Sequence, residues 1–180
     1  MEKVQWKPGT LLAPVPAVLV SCGTMEKPTA LTVAWTGIIC SDPAKTYISV
    51  RPERNSYNII RESGEFVINM MPSTLVRSVD YCGIKSGKNE DKLAKMKLYP
   101  QESNVVAAPQ IAQAPISIEC RVTGAPAGQP RYVHRADNVR QYRKGSHRRK
   151  GQAAHGKGGA DGLRTRHILR PWQEDRLLRI

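Results

Sequence analysis

A regular strand pattern runs out at Val122. Residues 115–122 read PISIECRV, with apolar and polar positions alternating as they do in a half-buried strand. Residues 123–145 read TGAPAGQPRYVHRADNVRQYRKG, which neither alternates nor forms an apolar run. A core built from this chain is therefore expected from the first two thirds, with Ile116 to Val122 as its last strand.

Charge divides at the same place. The 180 residues carry a net charge of +13. Residues 1–120 hold 13 Lys/Arg and 11 Asp/Glu and are nearly neutral, whereas residues 121–180 hold 15 and 4, and all four histidines. Such asymmetry points to a polyanion-binding arm, nucleic acid above all. No apolar run reaches membrane-span length, and the start, MEKVQWKPG, lacks a basic-then-apolar leader, so a cytoplasmic protein is expected. The four cysteines (22, 40, 82 and 120) are far apart and form no C-x-x-C pair. They are read as reduced, mostly buried thiols, with no metal site.

Along the first part, residues 17–22 (AVLVSC), 30–35 (ALTVAW), 46–50 (TYISV) and 65–71 (EFVINMM) read as strands. Gly37 and the Ser41-Asp42-Pro43 segment interrupt them. Residues 56–63 (SYNIIRES) read as a short helix stopped by Gly64, with Ser56 as a cap. Residues 73–79 suggest a further helical turn, and 80–92 (DYCGIKSGKNEDK) a loop. A helix is expected from Asn89 or Glu90 to Lys97. Short strands with small helices favour an antiparallel barrel or sandwich over a doubly wound sheet. Neither common nucleotide-binding glycine motif is present.

Three segments could carry chemistry. Residues 34–43 (AWTGIICSDP) follow a strand, and their glycine would let a flat ligand approach the backbone. Residues 49–57 (SVRPERNSY) set two arginines and a serine near a helix start, which suits a phosphate. Residues 82–88 (CGIKSGK) form a lysine-bearing glycine loop that could close over an anion. Each has a plainer reading: Arg51 and Arg54 as solvated charges, Trp35 and Cys40 as core, the lysine loop as only a loop. No nucleophile, acid or base constellation is visible, so no catalytic side chain is assigned.

In order, LTVAWTGIICSDPAKTYISVRPERNSYNIIRESGEFVINMM followed by VDYCGIKSGKNEDK resembles the flavin reductase-like family with an FMN-binding split β-barrel, in particular its flavoredoxin-type members. The resemblance covers roughly residues 14–122. It implies a mainly β fold, a split β-barrel with short helices, over residues 1–123, and a homodimer with one FMN near each subunit contact. It also implies that Ala34, Trp35, Thr36 and Gly37 lie along the isoalloxazine ring. Ser49, Val50 and Arg51 would follow the flavin toward its ribityl chain, and Arg51, Ser56 and Tyr57 would sit near the phosphate. Cys82, Gly83 and Lys88 would border the site. The implied chemistry is electron transfer from NAD(P)H through FMN to an acceptor, the cofactor doing the chemistry. The alternative within the same site is a non-catalytic FMN-binding electron carrier.

The C-terminal part departs from the family. Where relatives continue with a leucine-glycine-serine-histidine-aspartate run and an apolar strand, this chain gives PAGQPRYVHRA. Read one base later, codons for residues 129–135 can spell serine-histidine-aspartate-methionine-phenylalanine-isoleucine, and residues 146–172 can be shifted into a family-like ending. The expectation is a frameshift between about Val122 and Gly128, leaving the C-terminal part of the barrel incomplete or irregular and residues 124–180 as an atypical basic tail. The competing reading is a real basic extension that binds RNA through phosphate contacts.

Overall fold

The computed structural model describes residues 4–5, 7–124 and 133–143. The expectations for residues 125–132 and 144–180, and with them most of the frameshift and RNA-arm readings, lie outside the described residues.

Seven antiparallel strands form one curled sheet in the order β2-β1-β5-β8-β9-β4-β3. Strands β1 (Val18–Gly23) and β2 (Pro28–Val33) make one edge hairpin. Strands β3 (Thr36–Ser41) and β4 (Ala44–Ser49) make the other. Between them lie β5 (Glu65–Met70), β8 (Ile116–Gly124) and β9 (Val133–Arg143). A small ladder of β6 (Pro100–Gln101) and β7 (Gln110–Ile111) stands apart. Among the described residues there are also three short helices: α1 (Asn55–Ser63), α2 (Val76–Ile84) after a 3-10 turn at Ser73–Leu75, and α3 (Lys92–Lys95). No helix among the described residues is long and apolar enough to cross a membrane.

The apolar run of β1 is buried on both faces. Val18, Val20 and Cys22 join Leu31, Val33, Ile48, Ile60, Phe66 and Ile68 in the main core, under α1. Leu19, on the opposite face, packs with Cys82, Leu93, Leu98 and Ile111 from α2, α3 and the segments that follow. A strand covered on both sides reads as a continuous apolar run rather than an alternating one, which is why AVLVSC is so plain in the sequence. Buried Asn69 ties the centre together. Its amide nitrogen donates to Leu19 O (3.0 Å) and Ser21 Oγ (2.9 Å), while its carbonyl accepts from Ile111 N (2.9 Å) and Ser117 Oγ (3.0 Å).

Several local expectations need correction. Gly37 does not interrupt a strand: residues Thr36–Ser41 are the edge strand β3, with one register shift between Ile38 and Cys40, whereas Asp42 and Pro43 do break the pattern, as the turn into β4. Residues 80–84 continue α2, whose last amide contact runs from Lys85 N to Tyr81 O (3.0 Å). The expected helix over 89–97 shortens to α3, capped by the Asp91 carboxylate accepting from Ala94 N (3.0 Å). Strands do not stop at Val122: β9 follows and sits inside the sheet, between β8 and β4. Among its described side chains the buried ones are His134 and Ala136, a polar ring and a small methyl. The usual apolar alternation is therefore missing from a strand that is nevertheless paired on both sides.

Candidate functional site

The first two candidate segments meet at the end of the β3–β4 hairpin. Ser49 N donates to Trp35 O (2.8 Å), and the Arg51 guanidinium stands 5.9 Å from the centre of the Trp35 ring. Trp35 is 47% exposed, so it is not the core residue of the plainer reading. Its neighbours are held by side chains of the same hairpin: Thr36 Oγ1 donates to Tyr47 O (2.6 Å) and Thr46 Oγ1 to Gly37 O (2.7 Å). Gly37 has a packing reason of its own. A Cβ there would lie 2.9 Å from the Tyr47 ring, so part of the room that the glycine leaves is taken by this chain's own side chain.

The chain then turns at residues 51–54, with Arg54 N bonding Arg51 O (3.0 Å), and enters α1. First-turn amides of a helix have no intrahelical carbonyl and carry its positive end. Ser56 is not the cap; the cap position is Arg54, without a side-chain bond. Ser56 is instead buried and hydrogen-bonded to Cys22. Tyr57 is a core residue whose ring lies 5.5 Å from that of His134.

Beside this helix start is a cavity of about 350 Å³. Arg51, Arg54, Asn55 and Ser56 line one side; Cys82, Lys85, Ser86, Gly87 and Lys92 line the other, with Leu31 and Glu53 completing the wall. Four cations thus face one carboxylate. The far wall is pinned in place. Arg54 Nη1 donates to Gly83 O (2.9 Å), and Lys92 Nζ donates to Cys82 O (3.0 Å) and Lys85 O (3.2 Å). Tyr81 OH and Lys95 Nζ both donate to Glu90 Oε2 (2.7 and 2.9 Å), which anchors the 85–91 loop from its outer end. Gly87 lets that loop close: a Cβ there would meet Thr29 Oγ1 at 2.7 Å and Asn55 Nδ2 at 3.2 Å.

Burial pushes the Cys22 thiol up to about 11, and raises the Cys82 thiol as well, despite the nearby Lys92 charge. Neither is a ready thiolate nucleophile. Burial also holds the Lys92 ammonium below the ordinary lysine range.

Of the twelve residues singled out in the sequence, Arg51, Ser56 and Cys82 line the cavity. Ala34, Trp35, Thr36, Gly37 and Ser49 lie along the adjoining hairpin end. Val50 and Tyr57 are core, and Gly83 packs against Thr32, 3.2 Å from where its Cβ would be. Lys88 is exposed and does not line the cavity. The sequence places Arg54 in the phosphate-suited segment and Lys85, Ser86 and Gly87 in the lysine-bearing loop, and gives no site role to Asn55 or Lys92. The signal for Lys92 was its place directly after the glycine-lysine loop, where it reads as an ordinary polar helix residue.

These elements, an exposed strand end beside a cationic cavity on an antiparallel half-barrel, fit the comparison with known sequences. The flavin reductase like domain matches residues 11–138. The chain belongs to the flavin reductase-like family. The match runs past Val122 and takes in the first half of β9. Flavoredoxin of Desulfovibrio vulgaris (Miyazaki F) shares the fold at a TM-score of 0.74 and 31% identity, over 81% of this chain and 78% of that one. Flavoredoxin from Methanosarcina acetivorans shares it at a TM-score of 0.73 and 23% identity, over 81% and 77%. An uncharacterized protein of Archaeoglobus fulgidus is 32% identical over 111 residues, a stretch that makes up 62% of this chain and 62% of that relative. The matched segment therefore spans less than two thirds of that relative's length.

Family membership gives the cavity a cofactor class to be tested against. A phosphorylated flavin needs an anion site next to an exposed surface for a flat ring. The four cations around the cavity and the half-exposed Trp35 segment supply residues of the right chemistry for both.

Proposed function

We propose that this chain binds FMN and serves as an oxidoreductase, passing electrons from NAD(P)H through the flavin to an acceptor as a cytoplasmic homodimer. The observation that carries the reading is the cavity: Arg51, Arg54, Lys85 and Lys92 against a single Glu53, at the start of α1 and beside the exposed Trp35 segment. Arg51, Arg54, Ser56 and Lys92 would hold the phosphate, through charge-assisted bonds and first-turn amides. Ala34 to Gly37 would lie along the ring, and Ser49 to Arg51 along the chain between. FMN, when bound, supplies hydride acceptance and onward electron transfer. The protein's own part is to bind, orient and set the local field.

The dimer reading is supported by the edge strand β3. Ile38 is 83% exposed and Ile39 is also exposed, next to Trp35 and on a strand with one edge unpaired among the described residues. Exposed apolar residues on an edge strand ask for a partner.

The test is the visible spectrum of the purified protein, before and after NADH is added without oxygen. A yellow protein that bleaches is the expected result. A yellow protein that NADH leaves unchanged would make the chain an electron carrier, a reading favoured by the likeness to flavoredoxin at 31% identity. A colourless protein that takes up no added FMN would end both readings.

A further inference from the structure

Lys92 is only 5% exposed, yet no carboxylate among the described residues lies within ion-pair reach of it. Glu90, two positions before it, accepts from Tyr81 and Lys95 instead. Lys92 Nζ donates to the carbonyls of Cys82 and Lys85 (3.0 and 3.2 Å). An ammonium has three N–H donors, and among the described residues no acceptor stands ready for the third. A neutral amine has two donors and a lone pair, and two carbonyls satisfy those donors. The groups around it agree. Arg54, fixed to Gly83 O, brings a second positive charge from the turn before α1. Cys82 on α2 and Cys22 on β1 are thiols whose protons burial retains, so neither offers a compensating charge near neutral pH. Glu90 acts only from beyond pairing distance. A desolvated lysine beside another cation is a nucleophile at moderate pH, and this one forms part of the cavity wall.

We propose that Lys92 is a covalent capture site for small phosphorylated aldehydes, held as an imine. The flavin reading gives this residue a charge to offer; capture uses its lone pair and goes beyond that reading. The neutral amine adds to the aldehyde carbon, and a proton passes from nitrogen to the former carbonyl oxygen. Water then leaves, and a C=N bond replaces C=O. No oxidant or reductant enters. Arg51 and Arg54 line the opposite side of the cavity and suit the phosphate. A volume of about 350 Å³ lies at the lower end of the range for small-molecule sites, so a short carbon chain or a single ring between the two groups fits best. The adduct would fill the cavity that the flavin reading assigns to FMN, which makes such an aldehyde a reversible covalent antagonist of flavin binding.

The experiment treats the purified full chain, stripped of any flavin it carries, with one equivalent of pyridoxal 5′-phosphate. Borohydride then reduces the imine to a stable secondary amine, and peptide mass spectrometry locates it. Lys92 should carry roughly tenfold or more label than exposed Lys85, Lys88 or Lys97, because phosphate contacts hold the aldehyde beside it. Pyridoxal, the same aldehyde without the phosphate, should lose most of that preference. Added FMN should slow the labelling of Lys92. Label spread evenly over the exposed lysines, or absent from Lys92, would overturn the capture site. Equal labelling by pyridoxal and its phosphate would overturn the class of aldehyde proposed. Label on Lys92 that FMN does not slow would uphold the capture site and count against the flavin reading instead.

Discussion

The backbone amide of Ser49 donates to the carbonyl of Trp35 across 2.8 Å, and that bond joins two segments that are fourteen positions apart in the chain. It closes the end of the β3–β4 hairpin and brings the Arg51 guanidinium over the Trp35 ring. An exposed aromatic surface and an anion-suited turn thereby become neighbours. The hairpin positions the two, and α1, which follows directly, adds its amide end to the same place.

Arg51 is exposed, so its charge acts through solvent. Arg51→Ala should lower FMN affinity by roughly tenfold, the range of a modest charged hydrogen bond. The loss should shrink as salt is raised, since screening reduces what there is to lose. Fluorescence titrations at low and moderate salt check both points. A loss that salt does not change would mean that Arg51 acts by packing on Trp35 rather than by charge.

A second carboxylate arrangement governs stability. Glu119 is fully buried, and its oxygens accept from the amides of Asn104 (3.1 Å), Val105 (2.7 Å) and Val106 (3.3 Å). Next to it, Glu65 accepts from Ala107 N (2.7 Å) and pairs with Arg121 (3.1 Å). Glu119→Gln replaces an acceptor by a donor facing amide hydrogens. The expected cost is roughly 2–4 kcal/mol in urea unfolding. Hydrogen exchange should quicken first at residues 104–106. A variant as stable as the parent would show that the loop's amides find other acceptors.

The parts of the fold that were plain in the sequence are those in which one residue type does one job. AVLVSC and EFVINMM are buried strands made of apolar side chains, and Gly64 does end α1 in the left-handed region at φ 67°. Less plain were the elements whose side chains serve neighbours. Strand β3 carries Gly37 because Tyr47 needs the space, and a glycine in a strand reads as a break. Helix α2 carries Gly83 because Thr32 packs there, and a glycine-lysine run reads as a loop. In strand β9 the buried side chains among those described are His134 and Ala136, neither of them a large apolar residue. In the site, the arginines and Ser56 could be picked out because they adjoin a helix start. Lys92 could not, since its importance comes from α2 folding back over it, a contact that spacing does not encode.

Gly23 tests the β1–β2 hairpin. Its φ is 90°, and an added Cβ would stand 2.3 Å from the Lys27 carbonyl oxygen. Both the backbone angle and the contact oppose any side chain. Gly23→Ala should cost roughly 1–3 kcal/mol from the backbone alone, with the clash adding to it. Thermal unfolding measures the loss. Because the turn at residues 23–27 does not line the cavity, flavin affinity at low temperature should change far less than stability. Unaltered stability would mean that the turn can rearrange freely.

His134 gives the fold a pH dependence of known sign. The ring is buried against Tyr57, and its Nε2 has no hydrogen-bond partner among the described residues. Burial lowers its pKa below the ordinary histidine value. The folded state then holds the imidazole neutral at pH values where the unfolded chain would take up a proton. Its cost is absent above about pH 6.5 and grows as pH falls below that value, until the lowered folded pKa is passed. The slope in that window is at most about 1.4 kcal/mol per pH unit. Melting curves between pH 7.5 and 5.5 should therefore show falling stability, in a range above that in which most carboxylates titrate. His134→Leu, which puts a non-titrating apolar side chain at the same buried position opposite Ile48, should flatten the curve even if it changes the absolute stability. If native protein and variant lose stability in parallel over this window, the imidazole gains its proton without leaving the core, and the burial of β9 is not what sets the acid response.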